Sequence, residues 1–146
     1  MSVRFRSFTL ILTIAMLVLS ACQSPSNGPG IVTSDAWART SVEVGAVYVT
    51  IKNQGNESDR LIGVSTTAAK TVEIHESFMD GDVMGMRPVE GGLEIPAGET
   101  VKLKPGGHHI MLIDLVEPLL IGHDITLTLQ FEKSGEIVLE VEIKAQ

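Results

Sequence analysis

The chain has 146 residues, with 11 Lys and Arg against 18 Asp and Glu and a formal net charge of −7. That length suits one domain with a sizeable core, and the acidic balance argues against nucleic acid, whose phosphates need a basic face. Cys22 is the only cysteine, which excludes an internal disulfide.

The chain opens with a basic start, Arg4 and Arg6, and a twelve-residue apolar run, FTLILTIAMLVL (8–19). Spanning a bilayer takes about 20 apolar residues, so this run fits the h-region of an export signal. It ends in LSAC (19–22), which resembles the bacterial lipobox. The resemblance implies that residues 1–21 are a lipoprotein signal peptide and that Cys22 is lipidated. The mature protein is then expected to be extracytoplasmic and anchored to a cell membrane. Its nine basic and eighteen acidic residues favour cations and basic protein surfaces as partners. CQSPSNGPG (22–30) lacks apolar periodicity and reads as a flexible tether, leaving 31–146 as the folded domain.

Beyond the tether no long segment has helical periodicity; short β-branched runs alternate with turn formers instead. Strands are expected at 46–53, 60–66, 71–77, 83–89, 100–104, 108–115, 124–132 and 137–144. MDGD joins the third and fourth of these runs, and KSGE reads as a hairpin between the last two. Roughly eight or nine strands at this spacing predict an all-β protein, an antiparallel sandwich or barrel.

The chemistry concentrates in two segments. HESFMDGDVMGMRPV (75–89) holds Met79, Met84 and Met86 with His75, and HHIM (108–111) holds His108, His109 and Met111. Only His123, Met1 and Met16 lie elsewhere. Residues two apart on a strand share a face, so His109 and Met111 go together, opposite His108, Ile110 and Leu112. The apolar pair Ile110 and Leu112 is expected to face the core, which turns His109 and Met111 outward. Met84 and Met86 share a face likewise, and the alternation of Val72 and Ile74 with Glu73 and His75 points His75 away from the core. Thioether and imidazole are soft, neutral donors that suit Cu(I), and they need no thiol in an oxidising compartment. A structural zinc site would more often use Cys or carboxylate. A lone Met is usually core filler and a lone His a surface residue, which is the reading for His123 and the simplest one for Met79. Four spaced donors, His75, Met86, His109 and Met111, call for a common cause.

These residues resemble the copper chaperone family written PCu(A)C, whose pattern is H-x10-M-x21-H-x-M. Ten residues separate His75 from Met86, and His109-Ile110-Met111 supplies H-x-M. Twenty-two residues lie between Met86 and His109, one more than the pattern, with Gly91-Gly92 as the place for the insertion. Where family members often have HEM, this chain has HES with Met79 nearby. DAWART, GAVYVTIKN, DRLIGVST and IPAGETVKLKPGGHHIML are also similar to family segments, so the resemblance spans the mature domain. It implies a cupredoxin-like Greek-key β-sandwich binding Cu(I) through His75, Met86, His109 and Met111. Met79, Met84 and His108 are left as bystanders or accessory donors, with a turn role the simpler reading for His108. The implied role is extracytoplasmic delivery of copper to the Cu(A)-bearing subunit of cytochrome c oxidase, alongside Sco-type copper proteins, with no catalysis.

Other functions compete with that one. Copper buffering without a dedicated client would use the same donors. An electron-transfer cupredoxin needs a Cys thiolate beside two His, and the one cysteine lies at the head of the tether. No Ser–His–Asp order or cofactor loop marks an enzyme. Glu76, Asp80 and Asp82 lie near the donors in sequence, either steering a partner or serving as ordinary loop charges.

Overall fold

The computed structural model describes residues 30–145; the expected signal peptide and lipidated Cys22 lie outside them, as do all but the last residue of the expected tether. Ten strands are present among the described residues: β1 (Ile31–Arg39), β2 (Gly45–Asn53), β3 (Asp59–Thr66), β4 (Ala69–Asp80), β5 (Val83–Pro88), β6 (Leu93–Ile95), β7 (Thr100–Lys102), β8 (His108–Leu115), β9 (Asp124–Phe131) and β10 (Gly135–Lys144). They pair in the order β5-β4-β8-β2-β1-β10-β9-β3-β6, with β7 also on β2. Neighbours run antiparallel except β1 and β10, which are parallel.

The path folds back so that both halves share one core. Val47, Val49 and Ile51 of β2, Ile110 and Leu112 of β8 and Ile74 of β4 join Leu61, Ile95, Leu127, Leu129 and Val141 from the other half. Their alternation along each strand follows from the period of two, one face dry and the other free.

All eight expected strands are present, and two more were not expected. β6 is only three residues long. β1 is interrupted by Ser34-Asp35, which read as turn formers; Asp35 sits at φ 53° where the β1–β2 register shifts between Ser34 and Trp37. That is a β-bulge, an extra residue accommodated inside the ladder. The KSGE hairpin forms as expected, with Gly135 at φ 76° opposite Phe131. At the β4–β5 turn Gly81, at φ 61°, occupies the first central position, where a type II′ turn places glycine.

A buried amide closes the end of the sandwich where β1 enters. Asn53 is fully buried, and its Nδ2 donates to the carbonyls of Glu57 (2.7 Å) and Ile95 (3.0 Å). Its Oδ1 accepts from the N–H groups of Gly30 (3.2 Å) and Gly55 (3.0 Å). Asn53→Ala strips all four bonds and is expected to lower stability by about 2–4 kcal/mol. Urea unfolding would show this as a lower midpoint with an unchanged slope.

Candidate metal centre

Three strands, β4, β5 and β8, carry the candidate donors, and their registers bring most of them onto one face. His75 of β4 lies directly opposite His109 of β8, Glu73 opposite Met111, and Met111 opposite Ala46 of β2. On the other side of β4, Ser77 faces Met86 and Met79 faces Met84 of β5. Directly paired residues project to the same side of a sheet. Glu73, His75, Ser77, Met79, Met84, Met86, His109, Met111 and Ala46 therefore share the outer face, while Ile74, Ile110 and Leu112 fill the core behind it.

The expected outward orientation is correct as to face but wrong as to exposure. His75 and His109 are only 8% and 5% exposed. One cover is visible in the excursion Lys104–Gly107, which separates β7 from β8 although both pair with β2. The Gly107 N–H bonds back to the Lys104 carbonyl (3.0 Å), and Pro105 and Gly106 wall a cleft of about 310 Å³ beside His109. Met84, Met86, Met111, Tyr48 and Arg39 line the same cleft. His75 does not line it; its ring centroid is 5.9 Å from that of His109, at an interplanar angle of 60°.

Each histidine is held by one ring nitrogen. His75 Nε2 is 2.7 Å from Glu73 Oε2, while its Nδ1 is buried without a hydrogen-bond partner. His109 Nδ1 is 3.0 Å from the carbonyl oxygen of Gly107, which also accepts from the Ser77 N–H at 3.2 Å. A metal about 2 Å from one nitrogen of each ring sets the centroids roughly 5–6 Å apart, so the observed spacing fits a shared ion. Among the described residues no three His, Cys, Asp or Glu side chains are grouped to hold a metal. The thioethers of Met84, Met86 and Met111 line the cleft beside His109.

The remaining candidates divide. Met84 and Met86 are 63% and 56% exposed and form the outer wall of the cleft. Met79 lies on the same face next to Met84 but not in the cleft. His108 points to the opposite side, 3.6 Å from Glu76 Oε2, and that carboxylate also binds Arg87 at 2.6 Å. Glu76 is thus engaged away from the cleft, and Asp80 and Asp82 are exposed at the tip of the β4–β5 hairpin. His123 is exposed and lines a separate hollow near Leu119 and Leu120.

Sequence reasoning did not single out Glu73, Gly107, Tyr48 or Arg39 for this centre. Glu73 was within reach, because it lies two residues before His75 on a strand and so shares its face. Tyr48 packs on Trp37 with centroids 4.6 Å apart, a platform at the β1–β2 side of the cleft. Arg39 keeps a buried Nε with no hydrogen-bond partner, whereas Arg60 and Arg87 both pair with carboxylates.

Known proteins place this architecture. The copper-bound PCuAC domain from PmoF2 superposes with a TM-score of 0.67 at 26% identity, over 82% of this chain and 97% of that domain. The solution structure of CuI-DR1885 from Deinococcus radiodurans shares the fold, with a TM-score of 0.60 at 24% identity over 87% of this chain and 84% of that one. The sandwich is the cupredoxin-like β fold expected from the sequence. A Leifsonia xyli subsp. xyli protein named "Putative lipoprotein Lxx21020" is 32% identical over 127 residues, 86% of this chain and 76% of that one. The LpqE-like family model matches residues 31–143, which include every residue of the outer-face centre, and the chain belongs to the LpqE-like family.

Proposed function

We propose that this protein is an extracytoplasmic copper chaperone that carries one Cu(I) on His75, Met86, His109 and Met111 and releases it to an acceptor by ligand exchange. The observation that carries the reading is the imidazole pair facing across β4 and β8 at 5.9 Å, with His109 also on the cleft that Met86 and Met111 line. Two neutral nitrogens and two neutral sulfurs match the softness of Cu(I) and leave hard cations poorly served. The structural likeness to a copper-bound domain at 26% identity supports copper as the cargo. Met84 shares the cleft with Met86 and is the accessory thioether best placed to take over during transfer.

Exposure suits a carrier. The histidines form a sheltered half of the site, and Met86, with Met84 beside it, forms an open half on the edge strand β5, where an incoming protein can offer its own donors. Resemblance to the PCu(A)C pattern points to the Cu(A)-bearing subunit of cytochrome c oxidase as acceptor and to Sco-type proteins as co-workers. The family and its lipoprotein-named relative support lipid attachment at Cys22, which would hold the cleft near membrane-bound acceptors.

A competition titration against a Cu(I) chelator, followed by mixing with a purified apo Cu(A) domain, tests the reading. The expected result is one tightly held Cu(I) per chain that passes to the Cu(A) domain. Retention of copper in the presence of that acceptor would favour buffering, and no tight Cu(I) binding would overturn the proposal.

A further inference from the structure

We propose that the two histidines present opposite ring nitrogens to the metal, Nδ1 from His75 and Nε2 from His109, and that Glu73 is the positioning residue that imposes the choice at His75. The inference rests on the copper reading above and adds the atoms through which it works. A neutral imidazole carries one N–H and one lone pair. Carboxylate and carbonyl oxygens only accept, so the ring nitrogen facing each of them carries the hydrogen.

At His75 that nitrogen is Nε2, which donates to Glu73 Oε2 at 2.7 Å. The lone pair is then on Nδ1, the atom that is buried without a hydrogen-bond partner. A buried polar atom left unpaired is costly, and a bound metal removes that cost. At His109 the donor is Nδ1, bonded to the Gly107 carbonyl at 3.0 Å, and the lone pair is on Nε2. The two rings are thus oriented by different acceptors and leave different nitrogens free.

Glu73 is well placed for this role. It sits two residues before His75 on the same face of β4, directly across from Met111, with a side chain 40% exposed. A carboxylate behind a metal-bound imidazole fixes the tautomer and strengthens the nitrogen as a donor, and losing such a partner typically costs 10–100-fold in metal affinity. His109 has only a neutral carbonyl in the equivalent place, so its nitrogen gains less.

Long-range ¹H–¹⁵N correlation of the full chain tests the assignment. Without metal, His75 is expected as the Nε2–H tautomer and His109 as the Nδ1–H tautomer. One equivalent of Cu(I), added as its acetonitrile complex, is expected to shift His75 Nδ1 and His109 Nε2. Glu73→Gln is expected to lower Cu(I) affinity roughly 10–100-fold and to mix the His75 tautomers while leaving those of His109 unchanged. A copper-induced shift at His75 Nε2 would overturn this proposal and leave the copper reading standing. Copper that perturbs neither imidazole would overturn both. Unchanged affinity and an unchanged His75 tautomer in Glu73→Gln would remove the positioning role.

Discussion

A chain carrying both His109→Ala and Met111→Ala is expected to lose more than a hundredfold in Cu(I) affinity, since loss of a mere supporting residue already costs about 10–100-fold. Both residues line the cleft, on alternate positions of β8, so the double variant removes an imidazole and a thioether from one wall. The sandwich is expected to survive. Ile110 and Leu112, the residues of the same strand that pack in the core, are untouched. His109 is buried, however, and its loss also removes the bond to the Gly107 carbonyl. Met111→Leu separates coordination from packing, because a volume-conserving apolar swap typically costs under about 1.5 kcal/mol. The check is a chelator competition titration with circular dichroism on the same samples. An affinity within threefold of the wild type in the folded double variant would rule out this ligand set.

Asp59→Ala is expected to lower stability by about 3 kcal/mol without touching copper binding. Asp59 is buried at the start of β3 and accepts from the backbone N–H groups of Arg60 (2.8 Å), Lys133 (2.9 Å) and Ser134 (2.9 Å). It therefore ties β3 to the β9–β10 hairpin turn. Burial by itself pushes this carboxyl up, but the hydrogen bonds to the ionised form outweigh it, and the pKa lies below its ordinary value. A depressed folded-state pKa means that the stabilisation is complete above the unfolded value of about 3.9 and is lost as pH falls through the lower folded value. Urea unfolding at pH 7 and near pH 3 is the measurement. The gap between wild type and Asp59→Ala should be wide at pH 7 and narrower in acid; an equal gap at both would mean that the charge is not what matters there.

How far the candidate centre was legible depended on what each step required. The face of His109 and Met111 followed from a period of two, since Ile110 and Leu112 had to be the dry side. His108 fell to the opposite side by the same rule. The burial of His75 and His109 was not legible, because it depends on neighbouring structure, including an excursion whose two ends are fixed by the pairing of β7 and β8 with β2. Nor was the contact between the two histidines, which are 34 positions apart. Their meeting depends on the β4–β8 register, and a slip of one residue would have turned one ring to the core. β1 was missed for a different reason: Ser34-Asp35 has turn chemistry, and only the surrounding ladder shows that it is a bulge.

Local rules alone sufficed for eight of the ten strands among the described residues, the donor types and the absence of a thiol from the domain, because each depends on a residue and its near neighbours. The tertiary structure decided which donors share a cleft, which are sheltered and which nitrogen each histidine leaves free. Those properties arise from contacts between segments far apart in the chain, where registers and backbone carbonyls, rather than residue types, set the geometry.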